Sequence, residues 1–357
     1  MIKRFLAMLT VTALLLLAVV SYYRTNGTRT DGIYYEAVGI RPDAAVLYVN
    51  GEPVCAEEYL YWLDSVCEYL VSYLGSTPDF NSAVTEEMTL GEYAKADAAN
   101  TSILYALVRQ LAQEHDIVLT QEDIDELALQ RSQYVAYYGS EEAYALQLQV
   151  LGLTEERLLD IEAVPYLYSR LYQQFSDPDG KLYPGEDALR QFGDENGYVT
   201  AQLLYLTTAG LDEAAMADMA LRAADFAAQL RSAADKQATY RTLAESLGLT
   251  VSDAGFTFCA ADSDAAVHAA AAALQTGQVS DAIRGESGYY VALRMDTNYA
   301  ALAEHLFNIY LQEWQDSAKV EYSESLYDSI DAGAFYIALS QARTALLQSA
   351  TLAAPMP

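Results

Sequence analysis

Tyrosine is the residue with the most chemistry to offer in this chain: there are 29 of them among 357 residues, against three cysteines and three histidines. His115, His268 and His305 stand far apart, with no second histidine or cysteine at ligand spacing, so no metal site is expected. Cys55, Cys67 and Cys259 are an odd and sparse set. A helix between Cys55 and Cys67 would hold them about 18 Å apart along its axis, beyond the roughly 7 Å reach between disulfide Cα atoms, so free, buried thiols are expected. The tyrosines combine a broad apolar face with a polar tip, which suits a surface that must hold varied extended peptides. Many fall in the first half, among them Tyr59, Tyr61, Tyr69, Tyr73, Tyr144 and Tyr166, and Tyr134, Tyr137 and Tyr138 share one helical face. The ordinary fate of any one of them is to pack between helices with its hydroxyl at the rim. An aromatic cleft would separate the two readings.

The elements that position these residues follow from local signals. With 52% apolar and 20% charged residues the composition is globular, and the length allows two domains with cores. Fifty acidic against 20 basic residues give a net charge of −30, which repels nucleic acid, so no nucleic-acid partner is expected. Lys3 and Arg4 precede an apolar run from Phe5 to Val20, then Ser21, Tyr22, Tyr23 and Arg24, the basic, hydrophobic, polar order of an export signal. As one helix, Phe5 to Tyr23 spans roughly 28 Å, enough to stay as an anchor in the cytoplasmic membrane with the body outside; cleavage near Ala18 to Ser21 would instead secrete the protein. Thr25 to Pro42 reads as a tether. Asn50-Gly51 between two short apolar runs predicts a hairpin over Val46–Val54. Helices are expected over Ala56–Leu74, Tyr93–His115, Thr120–Tyr138, Ser140–Leu151 and Thr154–Phe175, with Thr120 and Asp123 as a capping box. A further helix, Tyr299–Ala318, leads to a short strand, Lys319–Tyr322, returning towards Val46–Val49.

Two segments carry a family resemblance. Val199-Thr200-Ala201-Gln202-Leu203-Leu204-Tyr205-Leu206, then Leu274-Gln275-Thr276-Gly277-Gln278-Val279-Ser280, then Gly288-Tyr289-Tyr290-Val291-Ala292-Leu293 resemble the parvulin pattern of a strand x-His-Ile-Leu, a Leu-x-x-Gly-x-x-Ser turn and a last strand Gly-x-His-Ile-x-x-Leu. Gln202 and Tyr290 are read at the two histidine places. Val49-Asn50-Gly51-Glu52-Pro53-Val54 followed by Ala56-Glu57-Glu58-Tyr59 resembles the opening of SurA- and PrsA-type foldases. The resemblance implies an α+β fold: a mostly helical chaperone body formed by segments before and after an inserted parvulin-like α/β domain, with an N-terminal transmembrane or signal helix. The expected division is 1–24 signal peptide or anchor, 25–43 tether, 44–196 helical chaperone domain, 197–297 parvulin-like domain, 298–332 helix and strand returning to the chaperone domain, and 333–357 Ala-rich helix and tail.

The resemblance also implies a chemistry. Turning an X-Pro amide crosses a barrier of about 18 to 20 kcal/mol without breaking a bond, so an isomerase needs an apolar pocket and a dry carbonyl, and neither nucleophile nor cofactor. Gln202 and Tyr290 stand as candidates for a rebuilt polar network, with Phe256, Phe258, Val267 and Leu204 lining a substrate groove. The departures are large: the family's Tyr-Ser-x-Asp to Gly-Gly-Asp-Leu-Gly loop is shortened to Glu245–Phe256, and Ser263 and Val267 stand nearest the family's Met and Phe. Three functions follow as expectations: an extracytoplasmic foldase or chaperone binding partly unfolded exported polypeptides, with a degenerate parvulin-like domain; an active peptidyl-prolyl isomerase acting on X-Pro peptides; or a non-catalytic assembly factor for one partner.

Overall fold

The computed structural model describes residues 27–353. The expected signal segment, 1–24, lies outside the described residues, and among those described no helix is long and apolar enough to cross a membrane. The fold is α+β, and the chain divides into two compact units, one running up to Leu171 and resuming at Leu311, the other comprising Tyr172–Tyr310.

In the first unit, Asn50 and Gly51 both take positive φ, 52° and 85°. A two-residue turn of that hand matches the twist of the strands it joins, here β1 (Ala45–Val49) and β2 (Glu52–Cys55). A strand from the far end of the chain, β7 (Val320–Tyr322), pairs antiparallel with the other edge of β1, so the order is β2-β1-β7. The helices that begin before the break are α1 (Ile33–Val38), α2 (Ala56–Leu74), α3 (Leu90–Glu114), α4 (Gln121–Tyr138), α5 (Glu141–Leu151) and α6 (Glu155–Ser176), the last running past Leu171. Thr89 with Glu92 and Thr120 with Asp123 form complete capping boxes at α3 and α4, each side chain taking the other residue's orphan N–H.

Two stretches differ from expectation. The tether reading fails from residue 33 onward, because Ile33 and Tyr34 of α1 are buried; the Tyr34 hydroxyl donates to the Leu151 carbonyl at 2.7 Å. The Ala-rich tail is also structural. After the short α12 (Glu324–Tyr327), α13 (Ala332–Ala353) buries Phe335 and Leu339 in the core that α2 and α3 supply. Its Arg343 forks onto Asp64 of α2, Nη1 to Oδ1 at 3.0 Å and Nη2 to Oδ2 at 2.5 Å. All three cysteines are free; Cys67 and Cys259 are buried, whereas Cys55 is partly exposed where β2 meets α2.

The second unit is built around a sheet of β3 (Val199–Thr207), β4 (Phe256–Phe258), β5 (Ile283–Arg284) and β6 (Gly288–Arg294), all antiparallel in the order β4-β3-β6-β5. Successive strand residues face opposite sides. Leu204, Leu206, Val291 and Leu293 therefore pack under α8 (Glu213–Ser232) and α9 (Lys236–Ser246), against Phe226, Leu230 and Tyr240. Val199, Ala201 and Ala292 on the other side meet Phe258 and α10 (Ala265–Ala272) through Val267 and Ala271. Before the sheet comes α7 (Glu186–Glu195); after it, a 3-10 turn at Tyr299–Leu302 opens into α11 (Ala303–Ser317). Gly193 of α7 lies against this turn, where a Cβ would stand 2.7 Å from the Tyr299 ring.

Candidate functional site

The register of β3 against β6 decides whether Gln202 and Tyr290 can act together. Gln202 stands opposite Leu293, and Tyr290 opposite Tyr205. Residues directly opposite in an antiparallel pair share a face and neighbours in sequence do not, so Gln202 and Tyr290 lie on opposite faces of the sheet. They cannot form one polar network. Gln202 is fully buried on the side of α8 and α9, and its Nε2 donates to Gln237 Oε1 at 2.8 Å and to the carbonyls of Ser252 at 3.1 Å and Asp253 at 3.2 Å. It ties β3 to α9 and to the loop before β4. Its Oε1 is buried without a partner.

Sharing Tyr290's face is Leu203, opposite Ala292. On β3 it is therefore Leu203, and not Gln202, that stands on the face of Tyr290. A leucine has no hydrogen bond to give. What polarity remains there comes from stacked tyrosines: the Tyr205 and Tyr290 rings lie 4.8 Å apart, the Tyr205 hydroxyl donates to the Ser287 carbonyl at 3.1 Å, and the Tyr290 hydroxyl lies 3.2 Å from Ser287 Oγ. The ring of Tyr290 fills the space beside the β5–β6 turn, since a Cβ on Gly285 would approach its Cε2 to 2.8 Å. Of the expected groove residues, Leu204 is buried on the opposite face, and Phe258 and Val267 are core under α10. Only Phe256, 50% exposed at the end of the edge strand, is open to a ligand.

The first unit holds a different arrangement. Tyr61 on α2, Tyr134 and Tyr138 one turn apart on α4, Tyr144 on α5 and Glu162 on α6 line a pocket of about 220 Å³, floored by Leu148, Leu151 and Leu158. Helical spacing explains the pairs: residues four apart stand one above the other. Behind Tyr61 the aromatic wall continues edge to face, Tyr61 to Trp62 at 4.9 Å and Trp62 to Tyr105 at 4.7 Å. Beside Tyr138, Tyr137 is 82% exposed, with its ring edge-on to that of Tyr138 at 5.0 Å. The Tyr134 hydroxyl accepts from Gln130 Nε2 at 2.9 Å, and the same amide reaches Glu162 Oε1 at 3.4 Å. Burial pushes the Glu162 carboxyl above the ordinary glutamate range, a hydrogen bond from Tyr134 opposing it in part. Burial likewise raises the Tyr61 phenol, with Tyr105 and Glu162 adding to it.

Sequence reasoning singled out Tyr61, Tyr134, Tyr138 and Tyr144 as tyrosines but not as one site, and it missed Glu162. Leu158 and Glu162 at i, i+4 on a helix with Tyr166 was the available signal. Among the described residues no group of three His, Cys, Asp or Glu side chains could hold a metal ion.

No family model matches the chain, and no curated protein matches it. Among solved structures it is similar to the foldase protein PrsA from Streptococcus pneumoniae, at 17% identity over 77% of this chain and 96% of that one, with a TM-score of 0.28. PrsA from Bacillus subtilis is similar at 14% identity over 76% of this chain and 94% of that one, with a TM-score of 0.28. A SurA-like chaperone from Campylobacter jejuni is similar at 15% identity over 88% of this chain and 99% of that one, with a TM-score of 0.22.

Proposed function

We propose that this protein is an extracytoplasmic chaperone of foldase type that holds partly unfolded exported polypeptides at the tyrosine cleft of its helical unit, without turning X-Pro bonds. The observation that carries this reading is the cleft itself: four tyrosines from three helices around an open pocket, with a further exposed tyrosine, Tyr137, ring to ring with Tyr138. Rigid aromatic faces give contact area at little entropic cost, and their hydroxyls satisfy whichever backbone groups a client presents. The Streptococcus pneumoniae PrsA is named a foldase and the Campylobacter protein a chaperone; for this chain the reading stands on the cleft. The basic and apolar pattern of residues 3–24 favours a body held outside the cytoplasmic membrane by an N-terminal anchor.

The parvulin-like unit then serves as a folded insert that spaces or supplements the client surface, with Leu203 and Tyr290 in place of a hydrogen-bonding pair. The test is aggregation of a chemically unfolded model protein, followed by light scattering after dilution into the full chain. Suppression near stoichiometric amounts is expected, with loss of most of it in a Tyr134→Ala, Tyr138→Ala double variant of unchanged helicity. Equal suppression by the variant would overturn the assignment to this cleft. Acceleration of cis-to-trans exchange in short proline peptides would overturn the non-catalytic reading of the insert.

A further inference from the structure

We propose that the tyrosine cleft selects client segments carrying an arginine or lysine, whose cation sits between the aromatic faces and against Glu162. This rests on the reading of the cleft as a client site and adds the chemistry of the client. Glu162 is the one charged side chain lining the pocket, and among the described residues no cation pairs with it. Its neighbours on the surrounding helices are otherwise matched. Arg131 of α4 is committed to Glu141 and Glu155, Arg157 of α6 reaches Glu58 and Asp160, and Arg170 of α6 holds Asp123. A carboxylate part-buried among aromatic rings, with only a tyrosine hydroxyl and a long amide contact, is poorly compensated until a cation arrives.

The same rings attract that cation directly, because the face of a tyrosine is electronegative. The molecule already uses this contact at the cleft's edge, where the Arg131 guanidinium sits 5.4 Å from the centre of the Tyr144 ring. A planar guanidinium can stack on one ring while its N–H fork meets the carboxylate, so arginine is expected to bind more tightly than lysine. The net charge of −30 draws basic segments towards the surface, and the cleft converts that attraction into a local preference.

The experiment uses the full chain and labelled peptides of the form Gly-Tyr-Gly-Xaa-Gly-Tyr-Gly, with arginine, lysine or the uncharged isostere norleucine at Xaa, read by fluorescence anisotropy at two salt concentrations. Arginine is expected to bind roughly tenfold more tightly than norleucine, with lysine between them. Glu162→Gln, close in shape to the native side chain, should bring the ratio to within about twofold by weakening the arginine and lysine peptides. Tyr138→Leu, which removes an aromatic face without removing charge, should shrink the ratio in part. Full discrimination in Glu162→Gln would assign the preference to overall charge and overturn the inference. If all three peptides bind alike, the inference falls and the client cleft stands; if none binds, both fall.

Discussion

Gln202 ties β3 to its surroundings through its side-chain amide. Both amide hydrogens are committed among three acceptors, two of them carbonyls of the loop before β4. Replacing it by leucine strands those buried acceptors, so Gln202→Leu should lower unfolding free energy by about 1 to 3 kcal/mol in denaturant titration, with client binding unchanged. A larger loss is expected at Arg343→Met, because Asp64 would be left as an uncompensated buried charge; pairs of this kind cost about 3 to 5 kcal/mol when one partner is removed. Asp123 sets a dependence on pH. The Arg170 guanidinium, with the Thr120 N–H and hydroxyl, holds its carboxyl well below the usual aspartate range. A carboxyl depressed in the folded state contributes stability above its unfolded value and loses it as pH falls towards the folded one. Stability should therefore drop on acidification below about pH 4, and Asp123→Asn, weaker at neutral pH, should show a flatter profile in the same titration.

Legibility in the sequence follows the range of the signals that make each element. The hairpin at Asn50-Gly51 and the start of α4 at Thr120 are set by residues two or three apart, and the sequence reads them directly. The register of β3 is not local. Gln202-Leu203-Leu204 is apolar or amphipathic throughout, so nothing in the run says which parity faces α10; pairing with β6 puts Leu203 on that side and Gln202 on the other. The cleft is legible by halves: Tyr134 and Tyr138 share a helical face, but Tyr61, Tyr144 and Glu162 join them only through the packing of α2, α5 and α6. Tertiary contact also explains why the first helix was read as a tether. Six residues carry little helical preference of their own, and α1 is held by Tyr34 seated against the C-terminal end of α5. There Gly152 takes φ of 75°, and a Cβ would come within 2.4 Å of the Tyr34 ring. Gly152→Ala should cost more than the roughly 1 kcal/mol of left-handed strain alone, because a fully buried ring must also move; thermal unfolding of the variant checks this.

At the scale of the molecule, one compact unit is written in two pieces of chain with the other unit between them. The second piece supplies β7 and the helix whose Phe335 and Leu339 complete the core. A chain ended after Asp328 should therefore lose the cooperative unfolding of the first unit, seen as rapid proteolysis within residues 33–171, while the second unit remains protected; equal protection of both would show that α13 is dispensable. The placement of β1 in the middle of its sheet has a consequence in time. Asn50 accepts its bond from Lys319, 269 residues later. In a chain that emerges N-terminus first, β1 has one edge open for nearly the whole of synthesis, and an unpaired edge is a template for any extended segment nearby. The helices of the tyrosine cleft are all encoded before that edge can close. β1, the first strand to be made, is thus fully paired only when β7 arrives.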